Sequence, residues 1–471
     1  MSCTRLPLAA FVIGFASINP ALADAPPLAG GPTVIRQRVV ALNDAEFAAP
    51  HAASFTLALF DDRVVTFERL SRREAAPGRV TLRGRFAGFP LSQATIVVAD
   101  GAIAASIQLT GSEQYAISPA ADGAHLISQL APESFPSCGG ALPVPTSAQR
   151  DLRAAPRGNA AARSDCAAQI DILVLYTAAA RSAAGGEAGM AAVVGLCVDN
   201  LNLALANSQV DASFRLVHSD EVGDPEDPDF IDNLYQLTDP VDGIYDEAHT
   251  LREQYGADMV ALLIDDLDYC GVAFLLDNYD FADYAFSVSN WWCGAYNLTF
   301  AHEVGHNLSC HHDRANAGDA FFDYAYGWRW FGDSGTEWRT VMAYSPGTRV
   351  PHYSHPDIFY DGQPTGVPIG SADEAHNAAA LVDTTPYVAE FRAPVCPNAT
   401  AACIQSDIYP ECTADCVVDL SDLGVVLANF APGAGGKSRA EGDVYPVDAP
   451  DGLVDLSDLG QVLSDYGADC R

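Results

Sequence analysis

The sequence is short of positive charge. Lysine and arginine together number 25 against 61 aspartates and glutamates, a formal net charge of −36 over 471 residues. A surface this acidic repels phosphate backbones, which argues against nucleic-acid binding and suits a soluble, exported protein adapted to salt or calcium. Long apolar runs are also scarce. The notable one is LPLAAFVIGFASI, which follows Arg5 and precedes Ala21 and Ala23. It is too short to span a bilayer comfortably and reads as the core of a signal peptide, residues 1–23, cut before Asp24. Cys3 lies too far from that cut to be a lipid-attachment site. Later runs such as MVALLI at 259–264 look like core strands. The mature chain is therefore expected to be secreted and extracellular, with no membrane span.

What remains is ordinary globular composition, 49% apolar and 18% charged, with length for two or three domains. Twelve cysteines are present, and loss of Cys3 with the leader leaves an odd number. Export favours disulfides, so at least one thiol is expected to be free, on a metal or paired outside the chain.

Residues 24–150 read as β-rich: SFTLALFDDRVVTFERL and GRVTLRGRF alternate or run apolar between turn signals. Residues 151–165, rich in Ala, Pro, Gly and Arg, read as an exposed linker and processing region. From 166 to 395 the pattern becomes α/β. QIDILVLYT, ASFRLVH, MVALLID and YAFSVSN read as strands; AAVVGLCVDNLNLALANS and YDEAHTLREQYG carry helical spacing. Such alternation predicts a mostly parallel sheet covered by helices. The tail, 396–471, carries five cysteines and repeats VDLSDLG at 418–424 and 454–460.

The densest chemistry lies in TFAHEVGHNLSCHHD, 299–313. His302 and His306 are four apart, so on a helix both imidazoles share one face and can hold one metal ion. Glu303 stands beside the first and can lean over the metal without joining it. Two neutral nitrogens and an adjacent carboxylate are the minimum for zinc-assisted hydrolysis. A third ligand is needed, and His312 is six residues on. At roughly 100° per residue a continuing helix would carry it to the wrong face. The helix must therefore break, normally at a left-handed glycine, yet Ser309 occupies that position. His311 reads as a solvent-facing neighbour.

With its third histidine and Asp313, this stretch resembles the extended zinc signature of the metzincin metalloproteases, and the Asp marks their adamalysin/reprolysin-like branch. The resemblance covers roughly residues 160–395 and implies an α/β catalytic domain with a twisted mixed sheet, cutting protein or peptide substrates. It assigns His302, His306 and His312 to zinc, Glu303 to general base, and Met342 in TVMAYSPG to the methionine turn beneath the metal. Tyr344 matches a tyrosine that astacin- and serralysin-like members use near the metal; the alternative is a core role. YAFSVSN corresponds to the edge strand on which such enzymes lay the substrate. Zymogens of this branch use a pro-region cysteine as a temporary zinc ligand, a role open to Cys138, which could instead be a disulfide partner or free thiol. Cys270 and Cys293 flank the edge-strand region and could pair.

The tail repeat resembles a dockerin-type pair, a small α-helical module of two half EF-hands with a cohesin-type partner. Asp451, Asp455 and Asp458 fall at calcium-loop offsets, with Asp448 near the first; the other copy offers Asp415, Asp419 and Asp422. Cys416 stands where copy one needs its turn glycine, so calcium competes with a disulfide-stapled relic as the reading. The whole reads as a secreted zinc endopeptidase made as a zymogen. The rival is a non-catalytic surface or scaffold-binding protein on the same frame, its site impaired at Ser309.

Overall fold

The computed structural model describes residues 11–12, 33–50, 53–76, 78–144, 167–393, 395, 420–430 and 453–465. All but two residues of the expected signal peptide lie outside this set, as do 396–419, 431–452 and 466–471 of the tail; the linker 151–165 lies outside it entirely.

Alternation in the N-terminal third does build a sheet. Its nine strands are β1 (Phe11–Val12), β2 (Val34–Val40), β3 (Ser54–Phe60), β4 (Arg63–Ala76), β5 (Arg79–Phe86), β6 (Phe89–Ala99), β7 (Ala102–Gln108), β8 (Gln114–Pro119) and β9 (His125–Leu130). From β3 to β9 they form an antiparallel meander, with β2 closing against β9. One face has its own core, where Phe55, Leu57, Leu82, Ile103, Ile107 and Ile127 pack together. On the other face β7 turns small residues, Ala102 and Ala104, toward the second half of the molecule. Period-two alternation thus gives one strand two different faces.

The second half is built on a six-stranded sheet. β11 (Ala168–Tyr176), β12 (Ala212–Glu221), β13 (Met259–Ile264) and β15 (Phe286–Asn290) run parallel. β14 (Gly271–Phe274) is antiparallel to β15. The short β10 (Ala141–Leu142), which belongs to the N-terminal region, pairs with the outer side of β14. The strand order is β10-β14-β15-β13-β11-β12. This corrects the expectation for YAFSVSN. Its strand is interior, and the strands contributed by the second half end at the four-residue GVAF, too short to stand out by periodicity. The Cys270–Cys293 disulfide ties the start of that edge to the following helix.

A helix over Glu187–Asn207 joins the halves. It has the length and hydropathy of a membrane span, yet it is buried because β11 to β15 lie on one side and the N-terminal sheet on the other. Gly195 allows the close approach: a Cβ there would stand 3.0 Å from a Val97 methyl. The one buried acid of this helix, Asp199, is paired across the seam with Arg73 at 2.7 Å and bonded by Thr81. Burying it unpaired would cost several kcal/mol, about 3–5.

In the tail, helices Leu420–Asn429 and Leu456–Asp465 enclose four buried valines, 425, 426, 454 and 462. That is a very small core, of the kind that needs disulfides or metal to stand alone.

Candidate active site

The helix Thr299–Asn307 is buried along its whole length, wedged between β14, β15 and the long helix. It places His302 and His306 one turn apart with ring centroids 4.8 Å from each other. It stops where the spacing requires. Ser309 has φ +70°, and the Cys310 N–H returns to the Gly305 carbonyl at 2.9 Å. The reversed chain enters the short strand His311–Asp313 and brings His312 back to the pair. A serine therefore does fill the left-handed position. Its hydroxyl is buried without a hydrogen-bond partner.

Each imidazole is held by its Nδ1. His302 bonds the Val341 carbonyl at 2.8 Å, His306 the Cys310 carbonyl at 2.8 Å and His312 the Asn316 carbonyl at 3.3 Å. Carbonyls only accept, so each Nδ1 is the protonated nitrogen and each Nε2 carries a bare lone pair. The Nε2 atoms of His306 and His312 face each other at 2.9 Å, and that of His302 is buried with no partner. Two lone pairs this close repel unless a cation lies between them. Burial holds all three rings neutral: His302 and His306 lie well below the usual imidazole range and His312 is lowered to about 3. Together with the Cys138 thiol, these donor atoms lie within 4.8 Å of one another. Three imidazoles and a sulfur fit a tetrahedral zinc ion.

Glu303 is fully buried beside the trio. Its Oε2 lies 3.4 Å from the Cys138 sulfur and its Oε1 has no partner. Burial pushes its carboxyl up to about 8, against the downward pull of the Cys138 thiol and of Arg349. Gly271 on the edge strand makes room for it, since a Cβ there would come within 2.5 Å of Oε1. Met342 lies beneath the helix, where a Cβ on Gly305 would meet its sulfur at 2.6 Å. Asp313 is a clamp: it accepts from the Tyr344 N–H at 3.0 Å and from Arg329 at 3.2 Å. Tyr344 packs its ring 4.2 Å from that of His312 and donates its hydroxyl to the Cys138 carbonyl at 3.2 Å. His311 is buried, not solvent-facing, because its ring stacks on Tyr326 and its Nδ1 accepts from the His312 N–H at 2.9 Å.

Cys138 arrives on a segment that lies along the cleft. The Cys270 N–H donates to the Ser137 carbonyl at 3.0 Å, Gly139 to the Gly271 carbonyl at 2.7 Å, and Leu275 to the Leu142 carbonyl at 2.8 Å. The residues that sequence reading missed are mainly these backbone partners, together with Gly271, Gly305 and Arg349. Carbonyls carry no residue-type signal, and Gly271 and Arg349 lie in stretches with no motif of their own. In the tail, Asp415, Asp419, Asp448 and Asp451 and the Asp422 side chain lie outside the described residues. Asp455 and Asp458 cap the second helix, accepting from Ser457 N at 2.7 Å and Asp455 N at 2.8 Å.

Residues 167–354 match the Reprolysin_5 family, metallo-peptidase family M12. The chain is 33% identical over 312 residues to a peptidyl-Asp metalloendopeptidase of Xanthomonas campestris pv. campestris, covering 64% of this chain and 70% of that protein. It is 34% identical to a protein of the same name from Stenotrophomonas maltophilia strain R551-3, across 50% of this chain and 55% of that one. A metalloproteinase-II structure from Bacteroides fragilis superposes with a TM-score of 0.41 at 11% identity, covering 71% of this chain and 91% of that one. The chain belongs to metallo-peptidase family M12. It is a metzincin-like metalloprotease, a hydrolase of peptide bonds in proteins or peptides.

Proposed function

We propose that this chain is a secreted zinc endopeptidase made as a latent precursor, and that it cuts beside aspartate, as the names of its relatives suggest. The observation that carries the reading is the convergence of three lone-paired Nε2 atoms whose Nδ1 partners are all backbone carbonyls. His302, His306 and His312 hold the ion. Zinc bound there supplies a Lewis acid that polarises a carbonyl and lowers the pKa of a coordinated water. Glu303 takes the proton of the attacking water and passes it to the leaving amine. The Tyr344 hydroxyl, once released from the Cys138 carbonyl, is within reach to donate to the developing oxyanion. Met342 supports the floor.

Latency rests on residues 24–150 acting as a pro-domain. Cys138 would hold the metal together with the three histidines, and the 137–142 segment pairs along the edge strand that a substrate would need for β-strand addition. Removal of this region after a cut in 151–165 opens both. Residues 166–395 are the catalytic domain and 1–23 the exported leader. The tail, 396–471, binds calcium through Asp415, Asp419, Asp422, Asp448, Asp451, Asp455 and Asp458 and docks to a cohesin-type partner; its small valine core supports a need for the ion. Calorimetry on the full chain with calcium tests this, and absence of both heat and a melting shift refutes it. A purely scaffold-binding protein would leave Glu303, buried with a free oxygen, without a role.

The main test is digestion of a denatured protein mixture with and without a chelator, followed by sequencing of the new termini. Chelator-sensitive cuts flanking acidic residues are expected. Cleavage that survives chelation would refute the metal mechanism.

A further inference from the structure

A cavity of about 190 Å³ opens beside the trio, lined by Asn297, Thr299, His302, Arg339, Tyr344 and Arg349 and covered by residues 135–138. Two buried cations in one cavity are costly unless each has a use. Arg339 has an internal one: it donates to the carbonyls of Gly347 and Ala343, both at 2.7 Å, and holds the loop after Met342. Arg349 is different. It donates to the Asn297 carbonyl at 2.8 Å, but its Nε has no partner among the described residues, and neither does the Thr299 hydroxyl in the same cavity. Both side chains are more than nine-tenths buried. His302 and Tyr344 line the same cavity, so the guanidinium opens onto the space beside the histidine trio. With residues 135–138 in place, Cys138 and Glu303 are acidic groups whose charge acts on it; departure of residues 135–138 with the pro-domain removes the thiol and opens the cavity to a substrate side chain, while Glu303 stays.

We infer that Arg349, with Thr299 beside it, is the specificity-determining residue of this protease and receives the carboxylate of an acidic substrate side chain next to the cut bond. This rests on the proteolytic reading above and assigns its selectivity to a residue. The planar fork of a guanidinium matches a carboxylate, and a fork fixed by Asn297 loses little freedom on binding it. A neutral isostere such as asparagine would bring an amide N–H₂ against N–H donors. Sites built around a buried polar partner reject the mismatched side chain by factors far above those of apolar pockets.

The test compares matched peptides carrying Asp or Asn beside the scissile bond, on either side, with wild type, Arg349→Gln and Arg349→Lys as they mature from the full chain. Wild type should favour Asp at least 100-fold in kcat/KM. Arg349→Gln should lower kcat/KM for the Asp peptide about 100-fold and leave the Asn peptide within a few-fold, while Arg349→Lys keeps part of the preference. Calorimetry of the same enzymes, stripped of metal, reads peptide binding without turnover. Asp should bind better than Asn to wild type and equally to Arg349→Gln. A preference that survives in folded Arg349→Gln, or none in wild type, overturns the proposal. If no peptide is cut, the proteolytic reading fails, and the binding comparison decides the pocket by itself.

Discussion

The two sheets of this protein use similar residues in different order, and the difference decides where chemistry can sit. In the N-terminal sheet apolar and small or polar residues alternate, so the strands present two faces and meander between tight turns. In the catalytic sheet the strands are runs such as MVALLI, buried on both sides and connected through helices. A parallel sheet gathers the following loops and helices at the ends of its strands, and that is where Thr299–Asn307 lies, after β15. The meander gathers nothing there. Its contribution to the site is a trailing strand with one thiol.

The sharpest way to test this division is Glu303→Gln. If the reaction is carried wholly by the catalytic half, this change should cut kcat by about a thousand-fold or more while the metal content of the purified enzyme stays at one zinc. Near-wild-type turnover would mean that another group is the base.

Cys138→Ala asks what the N-terminal half adds. The full-length precursor should gain activity before any processing, by at least ten-fold over the wild-type precursor, since the thiol no longer fills the metal's open position. A precursor as inert as wild type would shift latency from the sulfur to the backbone pairing of 137–142 with the edge strand.

The N-terminal sheet should also have its own response to acid. His125 is buried with Nε2 accepting from the Ile103 N–H at 3.0 Å, and burial lowers its pKa to about 4 from 6.5. The unfolded chain takes up the proton first. The stability this group supplies is therefore complete above pH 6.5 and drains away as pH falls toward 4, by about 2 kcal/mol between pH 7 and 5. His125→Gln, which keeps an acceptor for Ile103, should flatten that slope in hydrogen exchange of the sheet. An unchanged slope would place the acid sensitivity elsewhere.

The smallest effect belongs to Ser309→Gly. Glycine removes the strain of a side chain at φ +70° and the unbonded hydroxyl, so the folded protein should gain up to about 1 kcal/mol, less what glycine's freer unfolded chain takes back. A lower melting temperature would mean that the entropy outweighs the strain.

Much of the site was legible from residue order because helices and turns are local. The i, i+4 pair, the break before His312 and the left-handed Ser309 all follow from a few residues of backbone geometry. Gly271, the Val341 carbonyl and the cavity around Arg349 were not, since each belongs to a segment distant in sequence from the histidine helix. The edge strand was assigned to YAFSVSN because GVAF is too short to show a period, and a strand's place in a sheet is set by its neighbours.

By itself, then, the sequence determined the spacing that groups three histidines and the alternation of the two halves, both of which rest on residue order and side-chain type. Only the tertiary structure decided that GVAF is the edge, that residues 137–142 lie on it, and that a buried arginine faces the reacting centre. These depend on which surfaces remain apolar and which donors remain unpaired after the long helix Glu187–Asn207 has been packed between two sheets, and no local stretch of chain encodes that.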